Sequence, residues 1–130
     1  MEAGPRAWIA ALRNSHERLA ALVAQMSPAQ LTNPSYASEW TTAQVLSHLG
    51  SGAELAEFSI AAALVPSGTV DREAFPAVWE SWNARSPEQR AADCLTTNEA
   101  RLDRLEQLSD AELAKCGWIS SAPSSTRADC

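Results

Sequence analysis

The stretch SEWTTAQVLSHLGSGAEL, residues 38–55, decides the fold, because it opens a helix with two start signals and carries it onward with small and apolar residues. Thr41 is suited to the N-cap position, where its hydroxyl accepts a first-turn backbone N–H that has no helical partner. Gln44, three residues on, can reach back to the Thr41 N–H and complete a capping box. The helix is therefore expected to begin at about Thr42, and Val45, Leu49, Gly52 and Ala56 recur at the spacing of one core-facing stripe. His48 falls on the edge of that stripe, which aims an imidazole toward the core. Two readings are open for such a residue, a hydrogen-bonded core histidine or a metal-binding or catalytic group.

Outward from this stretch the helical period persists. The helix continues to about Leu64, where Pro66-Ser67-Gly68 stops it, and Glu54 and Glu57 lie too far along it from His48 to share a metal, so both read as solvated or rim residues. Upstream, Pro5 suits a first turn, and Trp8, Leu12, Leu19, Leu22, Val23 and Met26 keep helical spacing until Ser27-Pro28, predicting a first helix over residues 5–26. His16 and Ser15 interrupt its apolar face about midway. His16 is either a flank residue hydrogen-bonded to a neighbouring helix or water, or a pocket-lining group. Residues 27–40 read as an irregular connection with one short turn at 28–31, fastened to the bundle by Tyr36 and Trp40, with a polar tip at the surface or a pocket rim.

Downstream, Phe75, Val78, Trp79 and Trp82 predict a short helix from about Pro76 whose aromatic stripe anchors in the core. Ser86-Pro87-Glu88-Gln89 starts a third long helix over residues 87–108, with Ala91, Leu95, Leu102, Leu105 and Leu108 facing inward. Asn98 is the polar exception, placed to bond across the bundle or to face the same polar centre as His48. Ser109-Asp110 caps one more short turn.

The order of signals around His48 is Trp40 and the capping Thr41, an apolar pair, His48-Leu49, then the small-residue run Gly50-Ser51-Gly52-Ala53-Glu54. It resembles the second-helix signature of the mycothiol-dependent maleylpyruvate isomerase N-terminal domain, within the DinB-like metal-binding superfamily. LRNSHERLAALVAQMSPAQLTNPSYASEW before it, and VWESWNARSPEQ and LDRLEQLSDAEL after it, are similar to the same family's first helix, mid-chain segment and third helix, so the resemblance spans about residues 8–113. It implies an all-α fold, a DinB-like antiparallel four-helix bundle, here with the last helix missing. It also implies that His48 is one of three protein ligands of a divalent metal, zinc or nickel. That metal would lower the pKa of the thiol of mycothiol, so that the thiolate attacks a small electrophile in an isomerisation or transfer. The other two family ligands form a Glu/His-x-x-x-His pair on the last helix, and no such pair occurs here. The resemblance does not make His16 a ligand; His16, Trp40 and Asn98 are candidate pocket-lining residues. With one ligand of three, metal binding is expected to be weak and the chain inactive in this form.

The family pattern is followed to LSDAEL, after which AKCGWISSAPSSTRADC lacks apolar periodicity and reads as a disordered tail. The expectation is one helical domain over residues 1–113 and a tail over 114–130, produced by truncation or a frame shift near Ala114. Three helices without a fourth leave an apolar groove, and the competing expectation is a non-catalytic interaction protein whose groove binds a partner or a second copy as a homodimer.

The 130 residues fit one core. A net charge of −6 with scattered basic residues gives no footprint for nucleic acid. No apolar run would span a bilayer and no secretory pattern opens the chain, so a cytoplasmic location is expected. Cys94, Cys116 and Cys130 have no metal or disulfide spacing, and Cys94 reads as a small buried hydrophobe.

Overall fold

In a computed structural model, which describes residues 4–36 and 39–116, the chain is all-α. Helix α1 spans Pro5–Ala24, α2 Pro28–Thr32, α3 Thr42–Leu64, α4 Phe75–Asn83, α5 Pro87–Gln107 and α6 Asp110–Lys115, with a 3-10 turn at Arg72–Ala74 leading into α4. The starts follow from local chemistry. Thr41 and Gln44 form the reciprocal capping box, the Gln44 N–H donating to Thr41 Oγ1 at 3.2 Å and the Thr41 N–H to Gln44 Oε1 at 2.8 Å. Ser27 with Gln30 and Ser109 with Glu112 repeat the device, and Ser86 caps α5 ahead of Pro87. Ser67 ends the α3 turn in the left-handed region at φ 59°, and Gly68 follows against the Ala62 carbonyl, where a Cβ would overlap it.

Two apolar clusters give the helix directions. At one end Val23 of α1 joins Ala43 and Leu46 of α3 and Ala91 and Cys94 of α5; at the other, Ile9, Ile60, Leu105, Leu108 and Leu113 pack together. Thus α1 runs antiparallel to α3 and α5, while α3 and α5 run side by side in the same direction, and the turn with α4 carries the chain back between them. Buried His16, Ser47, Ser51 and Asn98 lie in sequence between the clusters, a polar belt across the middle of the bundle.

The α1–α5 seam is held by charge. Arg13 reaches Glu99 at 2.7 Å, Asp103 at 3.0 Å and Glu106 at 2.6 Å, and Arg6 donates to the Leu108 carbonyl at 2.6 Å. The carboxylates hold Arg13 even more firmly protonated, and its hydrogen bonds keep the Glu106 and Glu99 carboxyls below their ordinary range.

Several expected faces are shifted. The stripe of α3 that enters the core is Ala43, Leu46, Gly50, Ala53 and Ile60, not Val45, Leu49, Gly52 and Ala56; Leu49 is 41% exposed and Gly52 exposed. The reason is close packing by small residues, since the Trp82 ring lies where a Cβ at Gly50 would stand. On α1 the buried positions are Ile9, His16 and Val23, leaving Trp8 and Leu22 exposed. Tyr36, expected to fasten the α2–α3 connection, is fully exposed; the connection is closed by backbone bonds, Ser35 N–H to the Trp40 carbonyl at 2.8 Å and Thr42 N–H to the Asn33 carbonyl at 3.0 Å. Cys116, placed in the tail by its sequence, is buried in the second cluster. The rest of the expected tail, residues 117–130, lies outside the described residues.

Candidate functional site

Trp82 organises the site. It is fully buried, with Gly50 of α3 against its ring, the Arg85 guanidinium 4.0 Å from the ring centroid, and its indole N–H donating to Glu54 Oε2 at 2.7 Å. Arg85 is itself fixed by Asp93 at 3.3 Å. Glu54 is therefore half-buried and bonded to Trp82 rather than free in solvent. This arrangement fixes α4 against α3 and leaves a 320 Å³ cavity between them, lined by Trp40, Gln44, Ser47, His48, Ser51, Trp79, Trp82 and Asn83.

His48, expected to aim toward the core, is instead exposed on the wall of that cavity, because the buried face of α3 runs through Ser47, Gly50 and Ser51, and the Trp40 ring meets it edge-on with centroids 5.6 Å apart. Trp79, expected in the core beside Trp82, is 47% exposed and faces the cavity, because only one indole fits over Gly50. The site combines three indoles, an imidazole, two amides and two hydroxyls. Flat apolar faces with a few hydrogen-bonding groups suit a small organic molecule. The imidazole is the side chain best able to take and return a proton near neutral pH.

Of the residues expected at the site, Trp40 and His48 share this cavity, whereas His16 and Asn98 are not among its lining residues. His16 is buried on α1 with Nε2 3.0 Å from Glu99 Oε2, and its Nδ1 is buried with no partner among the described residues. Asn98 donates to the Cys94 carbonyl at 2.8 Å and, across to α3, to the Leu49 carbonyl at 3.4 Å. Sequence reasoning missed Gln44, Ser47, Ser51, Trp79 and Asn83. A signal was present, since Gln44, Ser47, His48 and Ser51 form a polar stripe at helical spacing.

The cavity does not supply a metal site. Among the described residues His48 is its one imidazole, no carboxylate lines it, and no three His, Cys, Asp or Glu side chains converge as a ligand set. Among the described residues no thiol lines it either: Cys94 is buried on α5, where desolvation pushes its thiol up to about 11. Among the described residues no helix is long and apolar enough to cross a membrane.

The family model described as mycothiol maleylpyruvate isomerase N-terminal domain matches residues 12–129, running past Leu113, the end of the segments that carry the resemblance in sequence. No curated protein and no solved structure matches the chain. Since the match covers most of the chain and the described helices form an all-α bundle, with α3 and α5 parallel rather than antiparallel, this protein belongs to the mycothiol maleylpyruvate isomerase N-terminal domain family.

Proposed function

We propose that the chain is a small-molecule-binding helical domain for thiol chemistry, with the α3–α4 cavity receiving mycothiol and His48 beside its sulfur. The observation that carries this reading is the position of His48, an accessible imidazole held by Trp40 at a cavity walled by indoles. In that position the imidazole accepts the thiol proton and leaves a thiolate, the nucleophile that the complete domain would direct at a small electrophile. Ser47, Ser51, Gln44 and Asn83 supply hydrogen bonds that orient the ligand, and the indoles exclude water from one of its faces.

The divalent metal implied by the family enters no step, because the donor set beside His48 is too small to hold one. The remaining donors are proposed to lie outside the described residues, and these residues alone are proposed to lack isomerase or transferase activity. A reading of the coding DNA downstream of Ala114 in the other two frames bears on this. A helix with Glu or His four residues before His would support truncation, and its absence would remove that part of the proposal.

Titration of the purified chain with mycothiol, followed by tryptophan fluorescence, tests the binding claim. A saturable change that is lost in Trp79→Ala and weakened in His48→Ala is expected. A linear change, or one unaffected by both substitutions, would contradict it.

A further inference from the structure

A second cleft of 550 Å³ lies between α3 and α5, with Ala53, Phe58 and Ala100 as apolar wall and Arg101 among its charged residues. Its lining shares no residue with the His48 cavity. The three carboxylates of this cleft are all engaged: Glu54 by the Trp82 indole, Glu57 by Arg104 at 3.2 Å and Asp103 by Arg13 at 3.0 Å. Among the described residues Arg101 has neither ion pair nor hydrogen bond, and its Nε is closed off from solvent without an acceptor. Arg101 is partly buried, and a guanidinium has five N–H donors and no neutral form to retreat to, so even partial withdrawal from water without a counter-charge is unfavourable. The nearby Cys94 thiol cannot serve as that counter-charge, because burial keeps it protonated. Nor can the rim carboxylates turn to it without abandoning Trp82, Arg104 or Arg13.

We propose that this cleft binds a small monocarboxylate, its oxygens paired in fork geometry with Arg101 and its apolar body against Phe58 and Ala100. Carboxylate geometry matches the guanidinium fork. A single charge is favoured over a dianion because Glu54, Glu57 and Asp103 share the rim. The apolar wall selects ligands with a hydrophobic body over a bare ion such as phosphate.

Benzoate is the probe, with inorganic phosphate as comparison, titrated into the ¹⁵N-labelled full chain while the Arg101 Nε–H resonance is followed. Benzoate is expected to shift that resonance and the Phe58 and Thr97 backbone amides saturably, with affinity, read on those amides, at least about tenfold weaker in Arg101→Gln, the loss of one charge-assisted pair. Ala100→Trp fills the cleft from an exposed position and should abolish binding with helicity unchanged, which decides the matter if Arg101→Gln fails to fold. His48→Ala should leave benzoate binding intact, so this site and the thiol cavity stand or fall separately. No saturable shift, unchanged affinity in Arg101→Gln or Ala100→Trp, or tighter binding of phosphate than benzoate would overturn the proposal.

Discussion

The Trp40 ring meets the His48 imidazole with their planes inclined by 72°, an edge contact between the residue just before an N-cap and a residue two turns into the helix. Its geometry depends on the connection before α3. The Pro34–Thr41 bridge and the bonds from Ser35 and Thr42 close that loop, so the Trp40 wall of the cavity is set by the same backbone that starts the helix. Capping and site geometry are thus one structural event.

Gly50 and Gly52 should respond to alanine in opposite directions. A Cβ at Gly50 overlaps the enclosed Trp82 ring, and overpacking of this kind costs about 1–3 kcal/mol, more than the roughly 0.8–1.0 kcal/mol that alanine returns in helix propensity. Gly52 faces open space, so there the propensity gain of about 0.5–1 kcal/mol stands alone. Urea unfolding of the two variants checks this. A stabilised Gly50→Ala would mean that Trp82 is not seated on that glycine.

The Arg13 clamp predicts a particular acid response. Glu99 and Glu106 have folded-state pKa values lowered from 4.5, chiefly by hydrogen bonds from Arg13, so their contribution is fully present above that value and is lost as pH falls through the lowered folded values. Wild type should therefore lose more stability than Arg13→Ala between about pH 5 and pH 3, and the gap between them should narrow. Parallel denaturation curves at all pH values would contradict the clamp.

Cys94 should be inert in the folded chain. Its thiol is buried and raised to about 11, so little thiolate exists at neutral pH. Iodoacetamide at about pH 8 should label Cys94 at least about a hundredfold more slowly in the native chain than in urea, read by peptide mass mapping. Equal rates would show that α5 opens locally.

Zinc should bind weakly and through His48. One imidazole leaves most of the coordination sphere to water, so the purified chain should hold less than one equivalent, and His48→Ala should remove it. Elemental analysis that found one tightly held metal per chain, retained in the variant, would place the metal on other residues.

Much of the fold was legible because its boundaries are local. Thr41 with Gln44, Pro87 after Ser86 and Ser109 with Glu112 each announce a helix start within four residues, and the long periodic segments fall where expected. The buried face of α3 was not legible, since Ser47, Gly50 and Ser51 enter the interior for their small size and hydropathy gives them no weight. Trp79 and Trp82 both line the cavity and are alike in sequence, and only the fit of one ring over Gly50 separates the buried indole from the exposed one. The pairings of His16 with Glu99 and of Trp82 with Glu54 join distant positions, which no local pattern reveals.

The chain has two histidines, His16 and His48, so their imidazole Cε1–H resonances can be assigned by one substitution, His48→Ala, and followed separately. Addition of mycothiol should shift the His48 resonance saturably and leave that of His16, buried against Glu99, in place. A saturable shift at His16 alone, or no shift at either ring, would contradict the claim that the His48 cavity is where this domain receives its thiol.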